Sequence, residues 1–344
     1  MPTPRKPTSF DIAHLAGVSQ PTVSRALRGT PTVSPATRQR IEAIAKRLNY
    51  AVDRAASNLR SGRTQTLAAL IFKDPSPDDD EVNPFFLAMM GAMMRACADH
   101  GQDLLVSFQQ MGSDWHVDYE DSHRADGLIL LGYGDYASYK AKLGRLVAQG
   151  THFVRWGSVQ PGEPGLTVGC DNRGGGRAAA AHLLEHGRRR IAFLGDATDH
   201  YPEFRDRHDG YAEALRRSGL APDPALHVLA LSSEEEGARA ASALLSRGVA
   251  FDAVVCASDL IALAAMRVFV GAGLRVPEDV AVVGFDDIPA AGLANPPLTT
   301  VAQDAGAAGR TLVETLLGRI RDEPVGSRTL PTRLVVRRSS EGRA

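Results

Sequence analysis

The sequence predicts a small all-α head joined to an α/β body of two doubly wound parallel-sheet lobes. Three observations predict it. Charge is unevenly placed: residues 1–64 carry eleven Lys/Arg against three Asp/Glu, while the whole chain of 344 residues holds 39 against 40. Before residue 52 the apolar side chains recur at helical spacing, and from Thr66 onward short apolar runs alternate with helical stretches. A chain this long exceeds one ordinary core, so more than one domain is expected. A basic head on an acidic body points to a polyanion as the partner of the head alone.

In the head, Ser9 is placed to cap a helix whose Ile12, Ala13 and Ala16 share one face and which Gly17 ends. The stretch GVSQPTVSRALRG, Gly17 to Gly29, supplies the second helix. Ser19 is its expected cap, and Pro21 falls in the first turn, where a missing N–H costs little. Its apolar spine is Val23 and Leu27, which leaves Gln20, Thr22, Ser24 and Arg25 to face outward. Ser34 caps a third helix with a stripe of Ile41, Ile44, Ala45 and Leu48. Three short helices with a glycine turn between the first two make a helix-turn-helix over residues 1–52. Residues 53–65 begin with DRAASNLR, helix-compatible with Asp53 as cap but too short to persist alone, and end in a linker. Such a segment is poised to be ordered by a partner.

The body's runs TLAALIF, DLLVSF, DGLILLG, HFVRW, LTVGC, RIAFLG, HVLAL, DAVVCA and VAVVGF are apolar on both faces, as buried parallel strands are. They are too many for one sheet, hence two lobes. Cys97, Cys170 and Cys256 are odd in number and widely spaced, which supports neither a disulfide framework nor a zinc site. No apolar leader follows the first residues and no run of membrane-spanning length occurs, so a cytoplasmic protein without membrane contact is expected.

The head segment FDIAHLAGVSQPTVSRALRGTPTVSPATRQRIEAIAKRLNY resembles the lactose-repressor (LacI) family of bacterial transcription factors. NPFF, HLLEHGRRRIAFLG, RHDGYAEAL, VPEDVAVVGFDD and PPLTTVAQD extend the likeness, in order and spacing, across nearly the whole chain. The resemblance implies a DNA-binding head, a hinge helix and a body similar to periplasmic sugar-binding proteins. Each lobe is then discontinuous, with crossovers expected near residues 161–164, 290–297 and 323–327. That assigns 66–163 and 297–326 to an N-lobe, and 164–296 and 327–344 to a C-lobe. Family members dimerise through the body, and the ending VVRRSSEGRA lacks a leucine-heptad tail, so a homodimer is expected.

Carried over from the family, Gln20 and Pro21 hold base-specifying positions, and Arg25 makes a further base or phosphate contact. Thr22 and Ser24 meet phosphates, which position a protein without specifying sequence. Small, hydrogen-bonding side chains suit a helix that must enter the major groove. Leu59, beside Arg60, resembles the family's hinge wedge, which enters the minor groove and kinks the operator, while Ala55 and Ala56 let two hinge helices pack closely. In the body, Arg207 matches the arginine that holds the effector, and Asp286 and Gln303 match its polar partners. Phe85, Tyr133 and Trp156 stand where a ring could stack on a sugar. Arg155 departs from the family, which often has an aspartate there. It would either draw an anionic ligand or pair with Asp171.

Two motifs point elsewhere. GGGRAA places Gly174, Gly176 and Ala179 in a dinucleotide-like pattern with Asp196 beyond, but CDNR intervenes where the fingerprint needs an immediate tight turn. Glycines packing a helix explain it better. His182, Glu185 and His186 match an inverted zincin pattern, yet His186-Gly187 reads as a helix end. Neither a metal nor any other cofactor is expected. The function expected is therefore a non-enzymatic, dimeric repressor that binds a palindromic operator and is released by a small sugar, a glucoside. The alternatives are a regulator of the same family that its ligand corepresses and, in another class, an NAD(P)-dependent oxidoreductase.

Overall fold

The computed structural model describes residues 7–27, 29–50, 63–72, 82–109, 112–132 and 134–341. It divides into two units, residues 1–64 and 65–344.

In the first unit, helices Ser9–Ala16, Gln20–Leu27 and Pro35–Arg47 enclose a core of Ile12, Ala16, Val23, Ala26, Ile41 and Ile44. Thr8, not Ser9, caps the first helix. Its hydroxyl accepts from the Asp11 N–H, and Asp11 Oδ2 accepts from the Thr8 N–H at 2.7 Å, a reciprocal capping box. Gly17 ends that helix at φ +64°, a left-handed conformation that a β-carbon would disfavour. Ser19 directs its hydroxyl to that of Thr22, 2.9 Å away. Ser34 caps the third helix as expected, accepting from the Thr37 N–H. Arg38 reaches back and donates to the carbonyls of Gly29 and Thr30, fixing the loop after the second helix.

The second unit holds two six-stranded sheets. Strands β1 (Thr66–Ile71), β2 (Asp103–Phe108), β3 (Gly127–Leu131), β4 (Phe153–Trp156), β5 (Leu166–Cys170) and β11 (Arg328–Leu330) form the N-lobe sheet. Its order is β11-β5-β4-β3-β1-β2, and all its pairings are parallel. Strands β6 (Ile191–Leu194), β7 (His227–Val228), β8 (Ala253–Cys256), β9 (Ala281–Asp286), β10 (Thr299–Gln303) and β12 (Thr332–Val335) form the C-lobe sheet. Its order is β12-β10-β9-β8-β6-β7, and only β12 runs antiparallel. Every apolar run named from the sequence forms a strand. No helix among the described residues is long and apolar enough to cross a membrane.

The three crossovers fall later than expected. β5 still belongs to the N-lobe sheet, so the chain crosses at Asp171 rather than near 161–164. β10 belongs to the C-lobe, which moves the return from 290–297 to Asp304. The third crossing is at Pro331, between β11 and β12, instead of 323–327. A buried strand reads alike in either sheet, so the side chains alone do not disclose which sheet it joins.

The glycines of GGGRAA lie inside helix Asn172–Glu185, not in a turn before it. A β-carbon on Gly175 would meet the Phe285 ring at 2.6 Å, and one on Gly176 the Arg207 carbonyl oxygen at 2.0 Å. The glycines thus let this helix press against β9 and against helix Pro202–Arg217. Asp171 caps the helix by accepting from the Gly174 N–H at 2.8 Å, which places a carboxylate where a nucleotide phosphate would sit.

Candidate functional site

Two sites follow from the sequence, one in each unit. On the second helix of the head, Val23 and Ala26 are buried and Leu27 half-buried. Pro21 and Arg25 are exposed; Gln20, Thr22 and Ser24 are half-buried. The Gln20 amide donates to the Ser9 hydroxyl at 3.2 Å. Phe10 on the first helix is 70% exposed and Leu15 stands out beside it, two large apolar groups that helical periodicity alone did not single out. Ala55, Ala56, Leu59 and Arg60 lie outside the described residues, as does Tyr133 of the body.

In the body, the three family-matched residues meet at the C-lobe strand ends. Arg207 is 1% exposed. Its Nε donates to Asn172 Oδ1 at 2.8 Å, its Nη1 donates to the Ala257 carbonyl and lies 3.7 Å from Asp286 Oδ1, and its guanidinium stacks 3.8 Å from the Phe285 ring centre. Gln303 Nε2 donates to Asp286 Oδ1 at 2.6 Å. Asp286 and Asp287 both take positive φ, +118° and +56°, so the backbone of GFDD is held in a sparsely populated conformation where it aims these carboxylates. Asp259 lies beneath them, accepting from Thr300 Oγ1 at 2.6 Å and the Ile288 N–H at 2.9 Å. Burial pushes its carboxyl well above the usual range, and the Asp286 charge adds to the rise. Neither Asn172 nor Asp259 was singled out from sequence; the only signal was the place of each at the start of a helix that follows a strand end.

Two of the three aromatic residues are described and pack together. Phe85 and Trp156 are buried against each other in the main core, ring centres 5.7 Å apart. Asn83 caps helix Pro84–Asp99 beside them and donates to Ser232 Oγ at 3.1 Å, reaching from one lobe to the other. Arg155 follows the alternation of β4 and turns to the opposite face of the sheet from Trp156, toward Tyr136 and Tyr139. It does not pair with Asp171, whose carboxylate caps a helix. At 2% exposure its Nη2 donates to the Ser158 carbonyl at 3.2 Å, and its guanidinium lies 4.8 Å from the Tyr136 ring centre. Its Nε and Nη1 meet no well-aligned acceptor among the described residues. Burial pushes the Tyr139 phenol up, and the Arg155 charge partly counters that.

Further bonds join the lobes on this side. Glu203 Oε1 accepts from the Ser158 N–H at 2.9 Å, and Asp206 accepts from the Ser158 hydroxyl and from Gln160 Nε2. The Tyr136 N–H donates to the His200 carbonyl at 2.8 Å. Glu203, Asp206 and Arg207 all stand on helix Pro202–Arg217, so the lobe contacts and the buried arginine share one rigid element. His182 gives Nε2 to a hydrogen bond with Ser340, and His186 Nδ1 bonds the His182 carbonyl; no metal-ligand cluster occurs among the described residues.

Comparison with known proteins follows the same division. Residues 10–53 match the family model of bacterial regulatory proteins, lacI family, and residues 180–340 match a periplasmic binding protein-like domain. The HTH-type transcriptional regulator CelR of Thermobifida fusca is 36% identical over 336 residues, 96% of each chain. The HTH-type transcriptional repressor CytR of Escherichia coli is 30% identical over 341 residues, 97% of this chain and 96% of that one. Among solved structures, a CelR–cellobiose complex superposes with a TM-score of 0.71 at 34% identity, covering 97% of this chain and 99% of that one. A lac repressor dimer bound to operator and the anti-inducer ONPF gives 0.84 at 26% identity, covering 98% and 100%.

Proposed function

The chain belongs to the LacI family, helix-turn-helix DNA-binding repressors with a sugar-binding body, and on that premise we propose that it is a cytoplasmic homodimer released from a palindromic operator by a glucoside. The observation that carries the effector reading is the buried Arg207–Asp286–Gln303 cluster at the lobe junction. A guanidinium beside a carboxylate and an amide offers donors and acceptors together, which suits hydroxyls that both donate and accept. The CelR–cellobiose likeness makes cellobiose the first glucoside to test. Arg155, across the junction, would add donors to the same ligand or its waters.

In the head, Gln20 and Pro21 read base edges, Arg25 adds a base or phosphate contact, and Thr22 and Ser24 hold phosphates. Leu59 is the minor-groove wedge, with Ala55, Ala56 and Arg60 beside it. A second copy is supported by exposed apolar side chains on one edge of the N-lobe: Leu87 and Met94 on helix Pro84–Asp99, and Val106 and Phe108 on the edge strand β2. Release is a population shift: a ligand that binds the closed lobes better favours closure, and closure disfavours the DNA-bound dimer. Because one helix carries Arg207 and the lobe-bridging Glu203 and Asp206, a ligand held by Arg207 biases those contacts directly.

Arg207→Lys tests this. Lysine keeps a charge for Asp286 but loses the planar fork. Repression that cellobiose no longer lifts is the expected reporter phenotype. Constitutive expression would instead indicate corepression, and an unchanged response would place the effector elsewhere.

A further inference from the structure

Because Thr8 and Asp11 cap the first helix between them, the Ser9 hydroxyl is not spent on the cap. It stands in the first turn and accepts from Gln20 Nε2 at 3.2 Å, in a partly buried contact that ties the first helix to the first residue of the second. Gln20 is half-buried, whereas its neighbour Pro21 is exposed.

We propose that Ser9 is a positioning residue for operator reading: it fixes the Gln20 amide so that this side chain selects adenine at one symmetric pair of operator positions. The inference rests on Gln20 being a base contact. A carboxamide has one acceptor oxygen and two N–H donors. With one N–H given to Ser9, the outward edge keeps one donor and one acceptor. Adenine shows the complementary pattern in the major groove, the N7 acceptor beside the N6 donor. Guanine shows two acceptors, N7 and O6, so Oε1 would face an oxygen. Were the amide turned so that Oε1 accepted from Ser9, both N–H groups would point outward and guanine would be the better partner. With Nε2 turned to Ser9, as it is here, the orientation of the amide sets which base is preferred. It also removes rotamer freedom from a long side chain before DNA arrives, which lowers the cost of binding.

The test is selection from a randomised operator with the full chain, comparing the native protein with Ser9→Ala, Ser9→Thr, Gln20→Ala and the Ser9→Ala/Gln20→Ala double variant. Melting of each variant is followed alongside, and Ser9→Cys, similar in size but a poor acceptor, guards against loss of packing. The native protein should prefer adenine over guanine at one symmetric pair, and Gln20→Ala should flatten that pair. Ser9→Ala and Ser9→Cys should lower the same preference about 3- to 10-fold, the worth of one neutral hydrogen bond, with melting and non-specific affinity unchanged. Ser9→Thr should restore it, and the double variant should be no flatter than Gln20→Ala. If Gln20→Ala flattens a pair that Ser9→Ala leaves intact, the role of Ser9 is overturned while the base contact stands. A Gln20-dependent preference for guanine overturns the amide orientation. A Ser9→Ala effect at a different position makes Ser9 a reader in its own right and also overturns the proposal. If Gln20→Ala changes no preference, the base-contact reading itself fails.

Discussion

The head presents Pro21 and Arg25 to solvent from an eight-residue helix, whereas the body buries Arg207, Asp286 and Gln303 at the junction of two lobes. Each arrangement suits the size of its partner. A duplex is too large to enclose, so the head must meet it with exposed side chains and with charge that acts over a distance. A small effector can be enclosed, so the body can hold its polar groups in low dielectric, where each hydrogen bond counts for more. The same contrast recurs inside the body. Arg207 is bonded to Asn172 and Ala257, set against Asp286 and stacked on Phe285, while Arg155, equally buried, donates to the Ser158 carbonyl and lies against Tyr136 and Tyr139. Among the described residues, Nε and Nη1 of Arg155 meet no well-aligned acceptor, whereas Nε and Nη1 of Arg207 each donate within the protein.

The contrast between head and body breaks most visibly under salt. Operator affinity should fall about 10³-fold or more between roughly 50 and 200 mM salt, because phosphate neutralisation releases counterions. Effector affinity should change by less than about 2-fold, since buried groups are weakly screened. Anisotropy for the first and calorimetry for the second decide it, and equal salt slopes would erase the distinction. Next comes truncation. Arg207→Ala leaves Asp286 buried opposite an empty position and should cost the body about 3–5 kcal/mol in urea unfolding, against less than about 0.5 kcal/mol for the exposed Arg25→Ala.

Arg155→Met sharpens the comparison within the body. Removing a guanidinium that is only partly bonded should change stability by less than about 1 kcal/mol, yet lower effector affinity about 10-fold if the ligand supplies the missing acceptors. A stability loss as large as that of Arg207→Ala would show that the two arginines do not differ. The smallest effect is in acid. Burial and the neighbouring His227 hold His208 down to about 4, below its unfolded value near 6.5. The unfolded chain therefore binds the extra proton, and the stability His208 contributes is complete above about pH 6.5 and lost as pH falls toward 4. Between pH 7 and 5 this amounts to about 1 kcal/mol after allowing for its partial exposure. His208→Phe should remove that part of the slope; an unchanged acid limb would place the sensitivity elsewhere.

How far the sequence could be read follows from the same contrast. The head's residues are contiguous, and its caps, glycine turn and apolar stripe are local signals; the first cap shifted from Ser9 to Thr8, because both are good caps one position apart. The nine apolar runs of the body were legible as strands, but β10, β11 and β12 were not named as strands. β11 and β12 are three and four residues long and mostly half-exposed, so they lack the apolar signature. Arg207, Asp286 and Gln303, far apart in the chain, were found through the resemblance and are brought together in space. Phe85 and Trp156, given a ligand-stacking role from the sequence, pack against each other beside Asn83, and an aromatic near a strand end serves either role. The alternation of β4 could have separated Arg155 from Trp156 in advance, as adjacent residues of a strand face opposite ways.

The central claim is that an effector held at the lobe junction governs operator binding by the head. It is tested most directly by titrating cellobiose into the protein bound to a labelled selected operator, with Arg207→Lys measured beside the native chain. The account predicts that anisotropy falls to that of free DNA for the native protein, while the variant stays bound at the same concentrations with equal initial affinity. Native protein and variant releasing the operator at the same cellobiose concentration would contradict it.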